Sequence, residues 1–255
     1  DAEAGFPKRD HIIPMMSQEK ASNPDQFLKW ATRIDHDRYI VQYKLDGAAL
    51  ELQYQDGRLT AGVTRGDGMI GDDITRNVRR MRNVVETLPL PFTGAVRGEV
   101  IMEHEIHRRH YADKANCRNA ANGLMKRKDG VGSKHLRVIC YDAISSTQAV
   151  TFSDELEKLS WLKRIGIDVV HYEVYEDPTE IVHYRDLIAE KRDSLGFDID
   201  GLVVKGTTID LEDLKRSRPQ KQIAFKFSSE EAVTVLRKVE WSESGPLYTP
   251  VGICD

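Results

Sequence analysis

Three lysines stand where lysine is costly. Lys44 ends the apolar run 39–44 and is followed at once by Leu45-Asp46-Gly47, Lys205 closes the strand-like run 197–205, and Lys226 lies inside 222–227, where Ile223, Phe225 and Phe227 face the other way. A primary amine that is partly dehydrated and held among other cations can act as a free base and attack an electrophilic phosphorus or carbonyl. Lys44 is the candidate nucleophile. A single Lys-x-Asp-Gly is a weak signal, because a solvated lysine at a strand end reads the same way; the weight comes from the recurrence of interior lysines and from what surrounds them. Arg97 and Glu99 share one face of 95–101, and a carboxylate in the middle of such a run is expensive to bury unless it binds something. Thr64-Arg65-Gly66-Asp67-Gly68-Met69-Ile70-Gly71 has three glycines in six positions, which lets backbone approach a ligand closely.

The elements that must position these groups follow from periodicity. Residues 11–17 are extended around Pro14, and Asn23-Pro24 opens a short amphipathic helix through Phe27, Leu28 and Trp30. Residues 39–44 read as a strand. Beyond Gly47, Leu50, Leu52 and Tyr54 alternate with Ala49, Glu51 and Gln53. Asp56-Gly57 turns the chain, and Leu59, Ala61 and Val63 return it, so Lys44 is expected at the mouth of an antiparallel sheet. Asp72 and Asp73 are expected in the first turn of a helix whose Ile74, Val78 and Met81 form one apolar face. A helix is expected over 103–113, and a buried strand containing Tyr141 over 136–144. Residues 116–123 are rich in polar and small side chains. Two helices over 153–166 and 177–196, the second opened by Asp177-Pro178-Thr179-Glu180, are expected to be structural only. The composition shifts at Val233: 233–241 read as a strand and 242–246 as a turn.

The 255 residues allow one sizeable core, and 40% hydrophobic with 31% charged residues describe an ordinary globular protein. No apolar run approaches the roughly 20 residues that cross a bilayer, and Asp1-Ala2-Glu3-Ala4-Gly5 is not a signal peptide. A cytoplasmic protein without membrane contact is expected. Cys117, Cys140 and Cys254 lie far apart with no Cys-x-x-Cys spacing, which indicates neither a disulfide framework nor a zinc site. The net charge of -4 argues against a uniformly basic nucleic-acid binder. Its distribution is uneven. Residues 104–137 hold nine Lys or Arg against three Asp or Glu, and Arg76, Arg79, Arg80 and Arg82 form a second cluster, patches that suit phosphate backbones.

Taken together, His11-Ile12-Ile13-Pro14-Met15, Lys44-Leu45-Asp46-Gly47, Thr64-Arg65-Gly66-Asp67-Gly68, Val96-Arg97-Gly98-Glu99-Val100, Arg118-Asn119-Ala120-Ala121, the stretch 195–201 containing Asp200-Gly201, Ala224-Phe225-Lys226-Phe227 and Thr249-Pro250-Val251 resemble the adenylation (nucleotidyltransferase) domain of the NAD-dependent DNA ligases, in that family's order. The resemblance covers nearly the whole chain. It implies an α+β nucleotidyltransferase fold of antiparallel sheets with packed helices over 1–232, and over 233–255 the incomplete start of an oligonucleotide-binding (OB) fold.

It also implies roles. Lys44 would attack the α-phosphorus of NAD, expel nicotinamide mononucleotide and become a lysyl-AMP. Lys205 and Lys226 would grip the phosphate and offset charge that builds in the transition state. Glu99 would accept from the ribose, Tyr141 would stack on adenine, Gln42 would meet the adenine amino group, and Arg65 and Arg118 would contact the nucleotide. Asp46 and Asp200 would lie near Mg2+, which prefers such oxygen ligands. The partner implied is nicked double-stranded DNA, in replication and repair, with AMP passed to the 5'-phosphate of the nick by a monomer. The domain that grips the nicotinamide half would lie before His11, and further ligase domains would follow. Gln42 stands where the family usually has Glu, keeping an acceptor without its charge; Lys126 replaces Arg and loses a bidentate fork; Glu243-Ser244-Gly245 replaces Arg-Thr-Gly. Two other readings share the chemistry in part: an ATP-using polynucleotide ligase or related nucleotidyltransferase, against which Asp200-Gly201 stands in place of Glu-Gly, and a non-catalytic nucleotide- or DNA-binding module descended from a ligase, against which the intact lysine triplet stands.

Overall fold

The alternation expected around Lys44 is realised as two sheets joined by one short turn. A computed structural model describes residues 5–227, 235–244 and 247–254. In chain order these form β1 (Lys8–Asp10), β2 (Glu19–Ala21), α1 (Pro24–Ile34), β3 (Tyr39–Leu45), β4 (Ala48–Gln55), β5 (Arg58–Thr64), β6 (Ile70–Asp72), α2 (Thr75–Val78), β7 (Gly94–Ile101), α3 (His104–His110), α4 (Cys117–Met125), β8 (Arg137–Ser145), α5 (Glu155–Arg164), β9 (Tyr172–Tyr175), α6 (Pro178–Lys191), β10 (Ile199–Gly206), α7 (Leu211–Leu214), β11 (Gln222–Lys226), β12 (Leu236–Ser244) and β13 (Leu247–Cys254). The first sheet has the order β2-β11-β10-β3-β9 and the second β5-β4-β7-β8. All their pairings are antiparallel except β11 with β2, which run parallel.

Each sheet has its own core. Leu50, Leu52 and Val96 of the second sheet pack with Ala120 and Leu124 of α4 and Leu159 and Leu162 of α5. In the first, Val41, Leu202 and Phe225 pack with Phe27 and Trp30 of α1 and with Ile181 and Ile188 of α6, and Phe27 stacks on Phe225 at 4.3 Å. The chain passes between the sheets at Asp46-Gly47. Gly47 is forced by the close approach of β7: a Cβ there would collide with the Val100 carbonyl.

Several elements differ from expectation for identifiable reasons. The helix after Asp73 is a single turn, Thr75–Val78, because the chain is drawn off to β8, where Arg82 N–H donates to Leu136 O at 2.9 Å. Ile74, Val78 and Met81 are buried all the same. Asp72 and Asp73 precede that turn, and Asp73 accepts from Thr75 N–H at 3.1 Å. α3 is shorter than 103–113. The polar stretch 116–123 is mostly helix: Asn116 caps it by accepting from Asn119 N–H at 2.8 Å, and its small residues let α4 pack closely on the sheet. The glycines of the 66–71 loop serve the chain itself, since a Cβ at Gly66 or Gly71 would strike the carbonyls of Ile70 or Thr64. The loop stitches down the amino-terminal strap through His11 N–H to Met69 O (3.0 Å) and Met15 N–H to Gly68 O (2.7 Å).

Strand β12 continues through Ser244, where a turn was expected, and β12 and β13 form a two-stranded sheet of their own. Residues 233–234 of the expected strand, Gly245 and Pro246 of the expected turn, and the expected boundary at 232/233 lie outside the described residues.

Candidate active site

Lys44 and Lys226 are brought to one carboxylate by strand register. Lys44 of β3 lies opposite Gly201 of β10, and Gly201 lies opposite Lys226 of β11. The middle residue must be glycine, because a Cβ there would come within 2.5 Å of Phe225 O and 2.7 Å of Lys226 Cα. Beside it Asp200 accepts from Lys44 Nζ at 2.9 and 3.1 Å, and Lys226 Nζ is 3.5 Å from Asp200 Oδ2. All three side chains are between a quarter and two-fifths exposed, so the amines face an open cleft. Arg185 of α6 supports the arrangement by donating from Nε to Lys226 O at 2.9 Å.

The cleft has a volume of about 360 Å³ and lies where the two sheets meet. Gln42, Lys44, Arg65, Glu99, Arg118, Tyr141, Asp200, Lys205 and Lys226 all line it. Gln42 is buried and donates from its amide nitrogen to Tyr141 O at 3.4 Å, which leaves the amide oxygen as an acceptor. Burial pushes the Glu99 carboxyl up to about 8, with the Lys44 and Arg118 charges pulling the other way. Burial likewise holds the Tyr141 phenol far above its usual range, so this ring is a neutral platform. Arg65 spends its guanidinium on the strap, donating to Met15 O at 3.2 Å and Ser17 Oγ at 3.0 Å.

Asp46 departs from the others. It does not line the cleft, and its Oδ1 accepts from Arg118 Nη1 at 3.3 Å. Burial and the nearby Asp200 charge raise its carboxyl above the usual range, against the pull of Arg118.

Lys205 lines the same cleft but its amine is engaged elsewhere. Lys205 Nζ donates to Glu155 Oε2 at 2.9 Å, Glu155 Oε1 accepts from Lys158 Nζ at 3.0 Å, and Lys158 also donates to Asp142 Oδ1 at 2.8 Å. Glu155 and Lys158 belong to α5, so a helix expected to be purely structural supplies half of a buried charge chain beside the site. Although burial opposes it, Lys158 and Lys205 hold the Asp142 carboxyl well below its usual range. An acid and a base three apart behind the Asp154 cap were the available signal.

The strap, residues 10–17, closes one wall. Its anchor is Glu51, buried on the strand face that reads as polar in the sequence. Glu51 accepts from Arg97 Nε at 2.9 Å, Gln53 Nε2 at 2.9 Å and Ile12 N–H at 3.0 Å, and the His11 ring lies 3.4 Å away. Against the cost of burial, the adjacent His11 ring and the Arg97 charge hold its carboxyl at about 2. Arg97 in turn donates to the Ile13 and Pro14 carbonyls. The Arg97–Glu99 face expected to bind something is thus divided: Arg97 holds the strap and Glu99 faces the cleft.

The basic stretch 104–137 is not one uniform surface. Arg109, Arg127 and Arg137 pair with Glu105, Asp129 and Glu103 respectively, and Arg118 turns to the cleft. No helix among the described residues is long and apolar enough to cross a membrane.

Comparison with known proteins places the chain in a family. Residues 3–230 match the family model of the NAD-dependent DNA ligase adenylation domain. The chain is 51% identical over 266 residues to a DNA ligase of Treponema denticola, covering 98% of this chain and 41% of that protein. It is 49% identical over 269 residues to a DNA ligase of Treponema pallidum, covering 100% and 33%. The chain therefore spans about two-fifths or less of the length of these relatives. Among solved structures, "Pmar-Lig_PreS3" superposes with a TM-score of 0.56 at 11% identity, covering 95% of this chain and 56% of that one. A structure described as "DNA binding with a minimal scaffold: Structure-function analysis of Lig E DNA ligases" superposes with a TM-score of 0.55 at 14% identity, covering 95% and 84%. Those two likenesses establish the α+β ligase nucleotidyltransferase fold, and the sequence match establishes the lineage: the chain belongs to the NAD-dependent DNA ligase adenylation-domain family.

Proposed function

We propose that this chain is the lysine-adenylating core of a DNA ligase that takes AMP from NAD and delivers it to the 5'-phosphate of a nick in duplex DNA. The observation that carries the reading is the Lys44 amine, 2.9 Å from Asp200 and facing a cleft lined by Glu99, Tyr141, Arg118 and Lys226. Lys44 Nζ attacks the α-phosphorus: an N–P bond forms, the P–O bond to nicotinamide mononucleotide breaks, and Asp200 is the group placed to take the amine's proton. Lys226 offsets charge at phosphorus, Gln42 and Tyr141 hold adenine, and Glu99 meets the ribose. Lys205 reaches the phosphate by leaving Glu155. The adenylate then passes to the nick, and the 3'-hydroxyl displaces AMP.

Asp46 and Asp200 fit a hard divalent cation, since they are oxygen donors and burial, with the Asp200 charge adding to it, already raises the Asp46 carboxyl. Magnesium bound there would neutralise phosphate charge. Domains holding the nicotinamide half and encircling DNA belong to this proposal as partners of the chain, with the β12–β13 hairpin as the beginning of an OB fold. A cytoplasmic, monomeric enzyme acting in replication and repair is the setting it implies.

The test is intact-mass spectrometry after incubation with magnesium and either NAD or ATP, with and without a family-type nicotinamide-binding domain supplied in trans. Addition of one AMP from NAD, mapped to Lys44, is the expected result. Efficient labelling by ATP alone would overturn the NAD assignment in favour of an ATP-using ligase, and no adduct from either would leave the non-catalytic module.

A further inference from the structure

We propose that His104, Cys117 and Asp198 form a transition-metal site of zinc type, next to the nucleotide cleft but separate from it, that pins the start of α4 to the entry of β10. The three come from different elements: His104 is the first residue of α3, Cys117 the first of α4, and Asp198 directly precedes β10. Their ligand atoms, one ring nitrogen, one sulfur and one carboxylate oxygen, all lie within 4.8 Å of one another. None of them lines the cleft, and the adenylation chemistry uses none of them.

The donor set and the geometry agree on the class of ion. Tetrahedral zinc, with bonds of about 2.0 Å to nitrogen or oxygen and about 2.3 Å to sulfur, places neighbouring ligand atoms about 3.5 Å apart. His104 Nε2 and Asp198 Oδ1 are 2.6 Å apart, so the two need only part by about 1 Å to admit the ion. Both side chains have room to do so, being 25% and 38% exposed, which also leaves a fourth position open to water. A thiolate, an imidazole and a carboxylate select zinc, cobalt or nickel over magnesium or calcium, whose sites are built from oxygen. Charge balances as well: on binding, the Cys117 thiol releases its proton to solvent, and thiolate, carboxylate and neutral imidazole together offset the two charges of the ion. Cys117 is only 6% exposed, so the alternative of a Cys-His-Asp nucleophile acting on a bulky substrate lacks access.

The placement gives the ion a purpose. Asp198 O accepts from Asp46 N–H at 3.0 Å, His104 N–H donates to Gly196 O at 2.8 Å, and Cys117 directly precedes Arg118, whose guanidinium meets Asp46. An ion held by these three side chains would lock together the backbone that carries Asp46, Arg118 and Asp200.

Cobalt(II) titration of the 255-residue chain carrying Cys254→Ser tests the site, because cobalt reports a thiolate ligand through an intense near-ultraviolet charge-transfer band. One equivalent should bind with that band and with the visible spectrum of a four-coordinate ion, and zinc should displace it and raise the melting temperature. Cys117→Ser should abolish the band, while Asp198→Asn and His104→Gln, which keep the size of the side chain, should weaken binding tenfold or more. Cobalt binding without a thiolate band in the parent chain overturns the proposal whether or not the variants fold. So does a band that survives Cys117→Ser.

Discussion

Lys205 Nζ lies 2.9 Å from Glu155 Oε2 in a nearly closed environment, so the amine beside the nucleotide cleft is tethered to a carboxylate from α5. A buried ion pair that loses one partner leaves the other uncompensated, at a cost on the order of 3–5 kcal/mol. Lys205→Ala is therefore expected to lower stability as well as slow adenylation, by about a hundredfold if it removes one donor to the transition state. Glu155→Gln should lower stability by a comparable amount while leaving Lys205 free to reach phosphate, so adduct formation by the folded fraction should fall far less. Urea unfolding beside single-turnover labelling separates the two; equal rate losses in both variants would mean that Glu155 is needed in the reaction itself.

Lys44→Ala is expected to behave in the opposite way. Lys44 is about a quarter exposed, and Asp200 keeps Lys226 as a partner, so stability should change by no more than about 1 kcal/mol. Transfer of labelled adenylate should be abolished, because the variant loses the amine proposed to attack while Lys226 is assigned to charge at phosphorus. A covalent adduct on the variant would move the nucleophile to another lysine.

The parts of this fold legible from sequence are those in which local pattern and burial agree. The alternation of Leu50, Leu52 and Tyr54 and the turn at Asp56-Gly57 give β4 and β5 at once, and Phe27 with Trp30 gives the buried face of α1. The residues lining the cleft were legible because Lys44, Glu99, Asp200 and Lys226 sit in short motifs of unusual chemistry. Other features were not, since they are made by tertiary pairing. Glu51 reads as a solvent-face residue on an amphipathic strand, and only the strap laid over it by residues 10–14 buries it. Glu155 and Lys158 read as an ordinary i,i+3 surface pair until β10 brings Lys205 against them. His104, Cys117 and Asp198 have no metal-site spacing; the chain brings them together across 94 residues.

Glu99 should give the cleft a pH-dependent cost. Its carboxyl is raised from 4.5 to about 8 by burial, so between those values the folded chain holds a proton that the unfolded chain has released. Stability therefore falls as pH rises through this window, and the full penalty of ionising Glu99 is present above pH 8. Glu99→Gln removes it. The variant should melt close to the parent near pH 4.5 and above it at pH 9, by an amount on the order of 1–4 kcal/mol given about 1.4 kcal/mol per unit of displacement. A gain that is the same at both pH values would mean that the substitution acts through packing and not through the proton.

Glu51 should do the reverse at the acid end. Its carboxyl is lowered from 4.5 to about 2, chiefly by His11 and Arg97 working against burial, so its contribution is complete above pH 4.5 and is lost as pH falls toward 2. Glu51→Gln is expected to cost on the order of 3–5 kcal/mol at pH 7, because Arg97 is left buried without its counter-charge. The variant should also lose stability less steeply than the parent between pH 4.5 and pH 2, since one proton-linked group is gone. Function should follow structure here. Glu51 fixes Ile12, and Arg97 fixes the Ile13 and Pro14 carbonyls, so loosening this hub releases the strap that carries Met15 and Met16 along the cleft. AMP should then bind more weakly and limited proteolysis should cut within residues 10–17 of the variant before the parent. Urea unfolding at pH 7 and at several values between pH 2 and pH 4.5, together with AMP titration, checks all three outcomes. A parallel acid slope in parent and variant would remove Glu51 from its place as the titrating anchor of the strap.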